Sequence, residues 1–321
     1  MTKTDLARLI DLSEEATNQI LQTMVAIAHS VSSRKLKIAD PRYYSCLVGA
    51  LCAHDRVADA EKLFALAWEG RSHYFDTAAA SMMSMYYRHG NNAKANELLS
   101  QYSEIWSEKW KELASTPIVL SARNIESKDD NSAENDSSPR PMTVGQLRLL
   151  LIRAATPFYQ RALQMINSND ANDAVEFITN ALRKHSVVLS SIQIDSLVNL
   201  LLDRNYLPNA FALCMRLGQY QITGENHEQL TAQQCQYNMV PSPSVQSRIL
   251  LEICKENDWT RIRALIKNCK IAANQDPPVE CMLQLFEHAL VTGDLQQAND
   301  MINQAVKISS KKNAVVPMSD G

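Results

Sequence analysis

Glycine and proline are scarce here, 8 and 11 among 321 residues, below ordinary shares of about 7% and 5%. So few turn formers argue against all-β sandwiches and against α/β enzymes built on glycine loops. The glycines stand at 49, 70, 90, 145, 218, 224, 293 and 321. None are close enough for G-x-G-x-x-G, G-x-x-x-x-G-K-[ST] or G-x-S-x-G, the backbones that cradle phosphate or expose a nucleophile. The 7 cysteines form no C-x-x-C pair and have no histidine at zinc spacing. They read as free, mostly buried thiols in a reducing compartment, with neither metal nor cofactor implied. No apolar run reaches the roughly 18 residues of a membrane span, so no membrane is expected. The first residues mix Lys3 and Arg8 with Asp5, Asp11, Glu14 and Glu15, whereas mitochondrial presequences avoid acids. No presequence is visible.

Charge of one sign is also missing. The net charge is −3, so no global basic field draws the chain onto polyanions. Residues 124–142 account for it, with Glu126, Asp129, Asp130, Glu134 and Asp136 against Lys128 and Arg140. This stretch, rich in Ser, Asn and Asp, reads as an acidic flexible linker over 117–142.

What the chain does have is an internal period. Counting from Asp55 as a turn, Leu47, Val48 and Leu51 precede it by eight, seven and four residues, and Ala60, Leu63 and Phe64 follow by five, eight and nine. The same register recurs at Gly90, Asn169, Asn205, Asn257 and Gly293. These residue types tolerate the left-handed conformation that ends a helix. Five of the six residues at plus five are alanine: Ala60, Ala95, Ala174, Ala210 and Ala298, with Ile262 the exception. Offsets of this kind mark one face of each of two consecutive helices. The expectation is an all-α protein, an α-solenoid of about six antiparallel helix pairs, in which small residues let paired helices approach and stacking buries what one pair cannot. The expected segments are 1–40 helical, 41–116 N-terminal repeats, 117–142 linker, 143–308 C-terminal repeats and 309–321 tail.

The run from Leu51 to Phe64, preceded by Tyr44 and Leu47 and followed 35 residues later by a second copy, resembles the pentatricopeptide repeat family. That resemblance implies a non-catalytic RNA-binding factor, mitochondrial or otherwise organellar, acting on RNA stability, processing or translation, with single-stranded RNA in a groove lined by the first helix of each pair. It also implies a base-reading position ten residues before each turn: Ser45, Ala80, Tyr159, Asp195, Ser247 and Leu283. Ser45, Asp195 and Ser247 can hydrogen-bond a base edge, Tyr159 can stack, and Arg42 and Arg161 are the nearest cations for phosphate. A second position falls on Tyr74, Leu189 and Pro277, none of them the Asp or Asn of the family's code.

The neutral charge and irregular reading positions support a different class as well, a helical-repeat scaffold whose groove takes protein in a ribosome-associated or other complex. No small-molecule substrate is implied, because no acid, base and nucleophile recur together. His54 and His89 read as helix-end residues suited to the dipole, and Cys52 and Cys254 as apolar filler. Arg263, Lys267 and Lys270 form a basic stripe on a second helix. Tyr43, Tyr44 and Phe158 begin first helices and are candidates for stacking on bases or for packing between repeats.

Overall fold

The computed structural model describes residues 14–33, 42–69, 75–114, 117–119, 142–218, 230–231, 239–256, 258–273, 279–293 and 295–314. They are predominantly α-helical. In chain order the helices are α1 (Glu14–Ser33), α2 (Arg42–Ala53), α3 (Val57–Glu69), α4 (Phe75–Arg88), α5 (Asn92–Ala114), α6 (Val144–Asn167), α7 (Ala171–His185), α8 (Ser191–Asp203), α9 (Leu207–Gly218), α10 (Pro243–Lys255), α11 (Trp259–Ala273), α12 (Val279–Val291) and α13 (Leu295–Ala314). Three short strands, β1 (Pro117–Val119), β2 (Met142–Thr143) and β3 (Leu230–Thr231), complete the described elements.

The turns fall where the repeat places them. Asp55, Gly90, Asn169, Asn205 and Gly293 all have positive φ, between 53° and 75°. Asn257 lies outside the described residues. At three of these turns the following amide reaches back to close the helix: Arg56 N to Leu51 O at 2.9 Å, Asn91 N to Tyr86 O at 2.8 Å and Tyr206 N to Leu201 O at 2.8 Å. This Schellman pattern satisfies carbonyls that a helix end otherwise orphans. All six residues at plus five are buried, Ala60, Ala95 and Ala210 completely, so a larger side chain there would push the paired helices apart.

The chain forms two compact units. In the first, α2 packs against α3 and α4, α4 against α5 and α6, and α1 covers α2 and α3. First helices therefore stack on first helices within this unit. In the second, α8 packs against α9 and α10, α10 against α11 and α12, and α12 against α13.

The first compact unit runs through Ser168 and takes in the end of α7 and β3, with α6 packed on α4, whereas the expected repeat groups part at 117–142. The proposed linker also begins and ends in structure. β1 pairs in parallel with β2, Ile118 opposite Met142, and antiparallel with β3, Ile118 opposite Leu230. Ile118 is wholly buried, which explains why so short a sheet persists. Thr143 then caps α6, its Oγ1 accepting from Gln146 N at 3.2 Å while Gln146 Oε1 accepts from Thr143 N at 2.9 Å. The rest of 117–142 lies outside the described residues.

Candidate binding face

Within each unit the first helices leave one side open. Thirteen, nine, six and two residues before the turn, the side chains of α4, α6, α8 and α10 are half-exposed or exposed. On α4 these are Thr77, Ser81, Ser84 and Arg88; on α6, Thr156, Gln160, Leu163 and Asn167; on α8, Ile192, Ser196, Asn199 and Asp203. Neutral hydrogen-bonding groups dominate. Adjacent helices bring this row close together, since a Cβ at Gly49 on α2 would lie 3.6 Å from Ser81 Oγ. Ser81 Oγ donates to Thr77 O at 3.0 Å, which leaves the hydroxyl's lone pairs for an incoming donor.

The position ten residues before the turn behaves differently. Ser45 and Ala80 are buried, 5% and 3% exposed, and Ser45 cannot present its hydroxyl to a base. Asp195 Oδ1 accepts the Ser242 amide at 2.7 Å, joining α8 to the start of α10. Ser247 Oγ donates to Pro243 O within its own helix at 2.8 Å, and Tyr159 is half-buried. Ser45, Ala80 and Asp195 stand on the side of their helices that meets the next pair, about 100° round from the open side. At Ser45 and Ala80 the residue ten before the turn is covered, while Cys46 and Ser81, nine before it, are half-exposed. Leu189 is 1% exposed and does not face a ligand; Tyr74 and Pro277 lie outside the described residues.

Cations near the open row are held by neighbours. Arg88 bonds Asp55 Oδ1 at 2.9 Å and the Cys52 carbonyl, and His89 Nε2 lies 3.1 Å from the same Asp55 oxygen. Hydrogen bonds from Arg88, then from His89, hold the Asp55 carboxyl below its usual range. Arg204 repeats this clasp one unit on, donating to Asn169 Oδ1 at 3.1 Å. Arg248 donates to Asp203 Oδ1 at 2.6 Å and Asn199 Oδ1 at 2.8 Å. Arg161 lies over the Tyr87 ring, 5.9 Å from its centroid. Arg42 begins α2. Lys94 and Tyr86 both donate to Glu61 Oε1 at 2.9 Å; the Lys94 bond foremost lowers the Glu61 carboxyl.

Cys52, Cys214 and Cys254 are free thiols buried in the core. Burial pushes the Cys52 thiol up to about 12, and its Sγ lies 3.5 Å from Met82 Sδ, the environment of a packing thiol. Among the described residues no group of three His, Cys, Asp or Glu side chains converges as metal ligands, and no helix is long and apolar enough to cross a membrane.

A polar cluster that sequence spacing does not reveal lies inside the first unit. Tyr102 OH reaches Asp76 Oδ1 at 2.9 Å and Ala154 O at 3.0 Å, and Trp106 Nε1 donates to His185 O at 2.8 Å. The His185 ring stacks on Phe158 at 4.8 Å, and burial foremost pulls its pKa down. Tyr102 and Trp106 are fully buried, Asp76 1% and Phe158 2% exposed. The cluster is closed to substrate, and Phe158 packs between repeats rather than against a base. In the second unit an open hollow of about 220 Å³ is lined by Asn169, Asp170, Asn172, Asp173, Tyr206 and Asn209, bridged by Asn209 Nδ2 to Asn172 Oδ1 at 2.6 Å. No protein-family model and no curated protein matches the chain.

Proposed function

We propose that this chain is a pentatricopeptide-like helical-repeat protein, six helix pairs of an α-solenoid, that binds single-stranded RNA along the open faces of its first helices. Its role is non-catalytic, in post-transcriptional control of organellar, mitochondrial gene expression. The observation that carries the binding reading is the neutral polar side of the first helices in each unit: Thr77, Ser81, Ser84 and Gln160 on α4 and α6, and Ser196 and Asn199 at the same register on α8. Ser, Thr, Asn and Gln are the side chains that exchange hydrogen bonds with base edges, and single-stranded RNA is the nucleic acid whose edges are open to them. The family resemblance supports the same assignment and supplies the organellar setting.

With Arg88 and Arg248 engaged by Asp55 and Asp203, few phosphate charges are neutralised, so affinity should fall only gently with salt. The test is the affinity of the intact protein for short single-stranded RNA at two salt concentrations. Replacing Ser81, Gln160 and Ser196 together by Ala should weaken binding, each lost hydrogen bond contributing about 1 kcal/mol, while duplex RNA binds poorly throughout. Binding indifferent to all three changes would reject the groove.

The pairing of those arginines favours a second reading, in which the same row holds an extended protein segment and the chain is a scaffold subunit of a ribosome-associated or other complex. Crosslinked pull-downs that yield protein and no RNA would select it.

A further inference from the structure

The last described helix pair exposes a face that the pairs beginning at α2, α4, α8 and α10 cover within their units. Three and seven residues before the turn, first helices carry apolar side chains buried by the next first helix: Val48 and Cys52 on α2, Met83 and Tyr87 on α4, Val198 and Leu202 on α8, Leu250 and Cys254 on α10, none more than 8% exposed. The contacts are direct, Cys52 Sγ against Met82 Sδ and the Tyr87 ring against Arg161. On α12 the residue three before the turn is Leu290, 48% exposed, and ten before is Leu283, 42% exposed. Second helices follow suit. Trp68 on α3 meets Phe75 of the next pair, ring centroids 5.8 Å apart, and Gly218 on α9 abuts Asn268 of α11. Val306, at the same register on α13, is 57% exposed, and Leu295, whose counterpart Leu207 is 8% exposed, is 71% exposed.

Leu283, Leu290, Leu295 and Val306 thus form an apolar surface with the register of a repeat-stacking face, and no described helix pair follows to cover it. We infer that this face of α12 and α13 receives the same face of a second copy of the chain, extending the stacking contact between molecules. Head-to-tail stacking is disfavoured because α1 packs on α2 and α3 and occupies the opposite face of the first pair. A face meeting itself closes as a two-fold dimer. α12, with 13 residues, is about 20 Å long and α13, with 20, about 30 Å; about 10 Å apart, they offer roughly 500 Å² of footprint per copy, at the small end for a stable complex. The dimer is therefore expected to dissociate on dilution.

Sedimentation velocity of the intact protein from about 1 µM to about 100 µM should show the mass doubling with concentration. Leu290→Glu and Val306→Glu, on different helices and both at exposed sites, should each hold the protein at monomer mass across the range. Leu149→Glu, 60% exposed on α6 and outside the open row, should dimerise as the native protein does. Circular dichroism confirms that each variant keeps its helicity; if one does not, the other carries the test. A native protein monomeric at every concentration, or dimers that survive both glutamates, would overturn the inference.

Discussion

Asp55 does two jobs at one turn. Its backbone adopts the left-handed conformation at φ 53°, and its carboxylate receives Arg88 and His89 from the following pair. A carboxyl held below its unfolded value of about 4 adds stability above that pH and loses it as pH falls through the folded value. Asp55→Asn should therefore melt below the native protein at pH 7, with the gap closing as pH is lowered through the carboxylate range. A gap that is constant with pH would mean the clasp contributes no charge. Tyr102 presents the buried counterpart of this contact. Tyr102→Phe removes the donor shared by Asp76 and the Ala154 carbonyl in a dry site, a loss of about 1–3 kcal/mol readable from chemical denaturation. An unchanged midpoint would show that the contact is dispensable. Neither partnership can be read from sequence: Tyr102 stands 26 residues from Asp76 and 52 from Ala154, and nothing in local periodicity joins them.

Elements were far more legible than contacts. A left-handed helix end admits few residue types, so Asp, Asn and Gly in one recurring register, three of the five steps being 35 or 36 residues, identify the turns before any packing is known. Asn205, at φ 61°, provides the test. Asn205→Gly should be near neutral, whereas Asn205→Val, β-branched and forced into the same conformation, should cost at least about 1 kcal/mol; equal stability of the two would mean the turn is not held left-handed in solution. The side of the first helix that stays open was less legible. Positions nine and ten before a turn are neighbours in sequence but about 100° apart around the helix, and which one the next pair covers depends on how helices cross. Ser45 went to the covered side and Ser81 to the open one for that reason. The strands at 117–119 and 142–143 escaped notice because two or three residues carry no measurable alternation.

At the scale of the whole molecule, the repeat makes a surface from equivalent positions that are far apart in sequence. Its first helices offer neutral acceptors and donors, and its acids neutralise most of the nearby cations, a combination suited to base edges more than to phosphate. The measurement that addresses this most directly is ultraviolet crosslinking of the intact protein to a mixed-sequence single-stranded RNA, with mass spectrometry assigning the modified residues. Crosslinks on the open row of α4, α6 and α8, around Ser81, Ser84, Gln160, Ser196 and Asn199, are the predicted result; RNA that fails to crosslink, or that crosslinks only to the second helices α5 and α9, would contradict it.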